Sequence, residues 1–115
     1  MSLKIWNAVP DGSEMEISLD GDGALVGRAR VLKDTDGDIE EETLDLDPGA
    51  VVTLRSPSRY TIRVAAAFAG AETTITIRAR VVTPQGTQHG GAFAFATKGK
   101  NGSTPARATL IALMD

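Results

Sequence analysis

Carboxylates at alternate positions on a tight loop are the first residues of this chain whose types and spacing could do chemistry. Asp34-Thr35-Asp36-Gly37-Asp38 is followed by Glu40 and Glu42. Oxygens so placed can converge on a calcium ion, which takes about six to eight of them. The spacing resembles the first half of an EF-hand loop, with Asp34, Asp36, Asp38 and Glu40 as the weak metal candidates. It departs where the match matters. Ile39 stands where the loop needs Gly, Asp45 replaces the bidentate Glu, and the flanks alternate like strands. The competing reading is a solvated hairpin tip, rich in Asp and Gly for turn reasons. It is the better of the two, so no metal or other cofactor is assigned.

A second group is basic. Arg28, Arg30, Arg63, Arg78 and Arg80, with Arg55 as a possible member, fall on outward positions if their segments alternate as strands do. Guanidinium groups held side by side call for an anion. That anion could be a carboxylate of the same chain or of a second copy, a phosphate or a sulfated sugar. Aromatic residues make up only 4 % of the chain, so no stacking platform accompanies the arginines. This argues against nucleic acid as a partner. The loop Lys98-Gly99-Lys100-Asn101-Gly102-Ser103-Thr104-Pro105 is Gly-rich and basic but lacks the spacing of a phosphate-binding loop. It reads as a surface loop. His89 is the only histidine and lies beside Gly90-Gly91. No Ser stands in a nucleophile-elbow context, and no carboxylate pair is singled out from the rest. A catalytic site is therefore not expected.

These side chains must be positioned by strands. Apolar residues recur at every second position, interrupted about every ten residues by clusters of Gly, Pro, Asp and Asn, the pattern of a sandwich or barrel. Strands are expected near 3–9, 14–20, 24–33, 39–47, 50–56, 59–69, 72–83, 91–98 and 106–114. No linker divides them, so residues 1–115 are expected to form a single-domain antiparallel β-sandwich of about eight or nine strands, jelly-roll or Ig-like. Two hairpins can be registered. Turning at Gly21-Asp22-Gly23 sets Glu16 opposite Arg28 and Glu14 opposite Arg30. Turning at Gly70-Ala71 pairs Ala66 with Ile75 and sets Arg63 opposite Arg78.

Bulk properties bound the function. The chain has 115 residues, 42 % of them apolar, and no cysteine, which excludes disulfides and thiolate metal sites. The longest apolar run is far short of a membrane span and no charged-apolar-small leader opens the chain. The expectation is a soluble protein, neither membrane-bound nor exported by the general secretory route, in a compartment the sequence leaves open. Residues 11–47 hold 13 acids against three bases, whereas residues 48–115 hold eight bases against two acids, for a net charge of −3. Acidic strands can pair with basic ones inside one fold, or face a partner.

The C-terminal segment Ala108-Thr109-Leu110-Ile111-Ala112-Leu113-Met114 is apolar on both faces. A sheet with one wet face should alternate, so the second face asks for cover. The N-terminal strand with Trp6 could supply it, or another copy could. On the second possibility Leu110, Ile111, Leu113 and Met114, with Arg63, Arg78 and Arg80, are the candidate assembly residues. Nearby outward positions are small: Ala65, Ala67 and Ala69, and Ala92, Ala94 and Ala96. The function expected first is a non-enzymatic assembly module that acts by protein–protein contact with itself or another protein. Virion accessory or decoration proteins are an analogy at the level of size and fold class only. A carbohydrate-binding sandwich is the alternative, with Trp6 and Tyr60 as its only polar-tipped aromatics. A small hydrolase comes third.

Overall fold

In a computed structural model of the chain, residues 2–21, 24–46, 49–69, 73–99 and 106–115 are described. They form nine strands: β1 (Ser2–Val9), β2 (Glu14–Gly21), β3 (Ala24–Thr35), β4 (Asp38–Asp45), β5 (Gly49–Thr53), β6 (Arg59–Ala69), β7 (Thr73–Val82), β8 (Gln88–Gly99) and β9 (Ala106–Met114). Every strand falls where the alternation puts one. Two sheets face each other, one ordered β1-β9-β6-β3-β4 and the other β5-β2-β7-β8. The molecule is an all-β sandwich. Among the described residues no helix is long and apolar enough to cross a membrane.

Period-two patterning builds the core. From the five-stranded sheet, Trp6, Ala29, Val31, Tyr60, Ile62, Val64, Ala66, Ala108, Leu110 and Ala112 turn inward. Met15, Ile17, Val52, Ile75, Ile77, Ala79 and Val81 meet them from the four-stranded sheet. Apolar surface removed from water on both inner faces, at roughly 25 cal/mol per Å², is the main stabilising term. The polar tips that reach the core are bonded there. The buried Tyr60 hydroxyl accepts the Arg55 backbone N–H at 2.9 Å, and Ser13 Oγ donates to the Pro10 carbonyl at 2.7 Å.

Both expected hairpins are replaced by longer-range pairings. β2 and β3 lie in different sheets, so Glu14 and Glu16 do not meet Arg30 and Arg28. β2 pairs instead with β5 and β7, setting Glu16 opposite Arg80. β6 and β7 also lie in different sheets, and Ala66 pairs with Gly27 and Ala106 rather than Ile75. Arg63 stands opposite Arg30, while Arg78 stands between Ser18 and Ala94. The physical reason the local register fails is that a strand with one apolar face can bury it from either sheet, so alternation does not fix its partner. Here the two strands of each expected hairpin close the core from opposite sides. Only β3–β4 and β7–β8 are hydrogen-bonded pairs of consecutive strands. The Gly21-Asp22-Gly23 and Gly70-Ala71 turns lie partly or wholly outside the described residues.

Candidate functional site

The outer face of the five-stranded sheet gathers most of the unassigned chemistry. Strand register lays its outward residues in rows. One row runs Asp45, Arg28, Ala65, Arg107; the next runs Thr43, Arg30, Arg63, Thr109, Leu3. Below them lies Glu41, Leu32, Thr61, Ile111, Ile5, and then Asp34, Arg59, Leu113. Neighbouring strands are about 4.8 Å apart and same-face residues along a strand about 7 Å apart, so the arginines are first neighbours. Four of them, Arg28, Arg30, Arg63 and Arg107, ring Ala65. Its methyl group leaves a shallow depression of about 860 Å³ that Arg59 also lines.

Among the described residues, charge on this face is only partly matched. Glu41 takes two hydrogen bonds from the Arg30 guanidinium, the one from Nη2 at 3.0 Å. Those bonds hold the Glu41 carboxyl below the usual carboxylate range and raise Arg30 further. Arg28 Nε lies 3.7 Å from Asp45. Among the described residues, Arg59, Arg63 and Arg107 have no carboxylate at ion-pair distance. The register sets Arg63 directly beside Arg30, a like-charge cross-strand contact that is unfavourable in isolation.

Arg78 and Arg80 lie apart from this group, on the outer face of the other sheet. Arg80 Nε donates to Glu16 at 2.7 Å and Arg78 Nε is 3.9 Å from Asp20. Arg55 follows β5 and lies beside Gly12. Sequence reasoning missed Arg59 and Arg107. Alternation with Thr61 and Arg63, and with Thr109 and Ile111, marks both as outward. They were separable from Arg78 and Arg80 only once the strand partners were known.

The expected assembly residues of the last strand divide. Leu110 is fully buried and belongs to the core, which removes it from any contact surface. Met114 packs against the core rim beside Val9. Ile111 and Leu113 point outward and are half-buried. β1 covers the edge of β9 and not its outer face, where Leu3 and Ile5 extend the apolar strip at 56 % and 42 % exposure. Trp6 turns inward, opposite Ala112.

At the acidic tip, Thr35 pairs with Asp38 across a two-residue loop. Asp36 and Gly37 both adopt positive φ, 51° and 93°, and Asp34 Oδ1 accepts the Gly37 N–H at 2.9 Å. This is the turn chemistry that Asp-Gly favours in hairpins. Among the described residues no three carboxylate or imidazole groups are placed as metal ligands would be. The aromatics open to a sugar-stacking role are inside. Trp6 Nε1 donates to the Gly91 carbonyl at 3.0 Å, and Tyr60 is 2 % exposed. His89 Nε2 lies 2.7 Å from the Asn7 carbonyl and ties β8 to β1. The loop of residues 100–105 lies outside the described residues.

Four strands end the two sheets, and they differ in how their outer edges are protected. β1 carries a register break between Trp6 and Val9, with Ala8 at φ 50°. β4 is charged, with Glu40, Glu41 and Glu42 in sequence, and β5 has only five residues. Bulges, charge and shortness all discourage edge pairing. β8 has twelve residues and breaks register only near its start, opposite Ala79 and Val81. From Gly91 to Thr97 it carries neither charge nor proline, with Ala92, Ala94 and Ala96 exposed and Phe93 and Phe95 half-buried. No family model, no curated protein and no solved structure matches the chain.

Proposed function

We propose that the protein is an assembly module that works by protein–protein contact and associates with itself through the open edge of β8. The observation that carries this reading is the stretch Ala92–Thr97: among the described residues its only hydrogen-bonded neighbour strand is β7. Every second backbone N–H and C=O along such an edge points away from the sheet, and another strand is the chemistry that completes it. The stretch is self-complementary. An antiparallel two-fold centred on Ala94 sets Ala92 against Ala96 on the outer face and Phe93 against Phe95 on the inner face. No like charges meet, and the two four-stranded sheets become one of eight. A two-fold closes, so the product is a dimer and not a fibre. The buried aromatics and the turn geometry of the acidic tip give no comparable support to the carbohydrate-binding alternative.

Sedimentation equilibrium over a rising concentration series tests it. The expected result is a concentration-dependent approach to twice the 12.0 kDa chain mass. Ala94→Glu should abolish it. Within one chain the new carboxylate stands opposite Arg78, a favourable pair of about 0.2–1 kcal/mol that preserves the fold. Across the two-fold it meets its own copy. A wild-type protein that stays monomeric to its solubility limit, or an Ala94→Glu variant with native circular dichroism and unchanged association, overturns the proposal.

A further inference from the structure

We infer that the arginine face of the five-stranded sheet is a second binding surface, independent of the β8 edge, whose ligand is an acidic segment of polypeptide. Three observations converge on it. Arg63 and Arg107 stand around the small Ala65 with no carboxylate of the described residues at ion-pair distance. The register sets Arg63 against Arg30, a like-charge cross-strand pair that favours an anion between them. Among the described residues, the carboxylate that holds Arg30 is that of the exposed Glu41, which a ligand carboxylate can replace one for one. Planar guanidinium groups bind carboxylates through paired N–H donors. Arg28 and Arg30, two residues apart on one strand, match alternate side chains of an extended peptide, both at about 7 Å.

The choice of polypeptide over a sulfated glycan follows from the rim. Beyond Arg63 the face continues into Thr109, Ile111, Leu113, Ile5 and Leu3, an aliphatic strip. Aliphatic side chains suit the apolar residues of a peptide, whereas sugar rings are held by aromatic faces, and no described outward position of this sheet carries one. The ligand that fits both halves has alternating acids followed by one or two branched apolar residues. Binding transfers Arg30 from Glu41 to the ligand, so Glu41 acts as an internal competitor.

The test uses a fluorescent peptide of alternating Glu and Ser that ends in two Leu, titrated with the whole protein at low salt and followed by anisotropy. Wild type should bind, with affinity falling as salt rises. Arg63→Glu should reduce affinity more than tenfold with unchanged circular dichroism. Glu41→Gln, which frees Arg30, should raise it several-fold, a gain that general disruption of the fold does not produce. Arg80→Gln, on the other sheet, should change nothing. No binding by wild type, equal binding by Arg63→Glu, or weaker binding by Glu41→Gln overturns the inference. A sulfated oligosaccharide that displaces the peptide at lower concentration than unlabelled peptide does would overturn the ligand class. Failure here leaves the mass measurements on β8 unaffected.

Discussion

Gly90 shows how one residue joins the two sheets at their shared side. Its φ is +65°, and a Cβ there would lie 2.8 Å from Trp6 Cδ1. Trp6 is buried against this backbone and donates to the next carbonyl, Gly91. A side chain at 90 must therefore adopt a left-handed conformation and also displace an indole that has nowhere to go. The first effect costs about 1–2 kcal/mol, and crowding a packed site adds a comparable amount. Gly37 separates the two effects. It has φ +93° but no atom within 4 Å of the added Cβ. Gly37→Ala should thus lose only the backbone contribution, and Gly90→Ala distinctly more. Urea unfolding followed by the fluorescence of Trp6, the one tryptophan, measures both. Equal midpoints for the two variants would mean that Trp6 is not packed on Gly90.

At the scale of the element, β9 is the strand whose role the sequence leaves most open. It is apolar on both faces, so periodicity cannot say which face is core. The structure resolves this through its neighbours: Leu110 stands between inward Ile62 and Lys4, whereas Ile111 stands between outward Thr61 and Ile5. Leu110→Lys would put a charge into a fully buried site, a cost of several kcal/mol. No cooperative thermal transition is expected. Ile111→Lys should fold with a loss of about 1 kcal/mol, since its side chain can reach water. Two unfolded variants would mean that the outer face of β9 is also core. All nine strands and the inward set from Tyr60 to Val81 were legible, because alternation is a local signal and burial follows it. The pairings were not. Opposite charges made Glu14 and Glu16 look matched to Arg30 and Arg28, but several arginine-bearing strands satisfy the same rule. The true partner of Glu16, Arg80, is 64 residues away. The outward direction of the arginines was readable; which of them share a face depends on sheet membership, and no local pattern encodes that.

For the whole molecule, the consequence of this topology is that most of the stabilising pairs join distant segments. Six of the eight connections cross between sheets. β1 pairs in parallel with β9, bringing the two ends of the described chain together, and β2 pairs with β7 across the middle. Charge follows the same plan. The acidic first half and basic second half meet at Glu16–Arg80 and Asp20–Arg78, while the Glu40–Glu42 edge and the arginine face keep their excess. These exposed pairs contribute little each, so they select partners more than they hold the fold. Loop-closure entropy must be overcome before such long-range pairs form, and it grows with the length of chain enclosed. Domains dominated by non-local strand pairing fold in roughly milliseconds to seconds. The local hairpins β3–β4 and β7–β8 can form within about 1–10 μs, but neither buries Trp6. Trp6 is enclosed only when β1 lies on β9 and reaches Gly91 of β8, which needs both chain ends in place. In stopped-flow refolding its fluorescence should therefore change in the slow phase, together with the main far-ultraviolet signal. Full development of the Trp6 signal in the instrument dead time, ahead of the sheet signal, would show that the first strand docks on a local structure and that the long-range pairing of β1 with β9 does not govern folding.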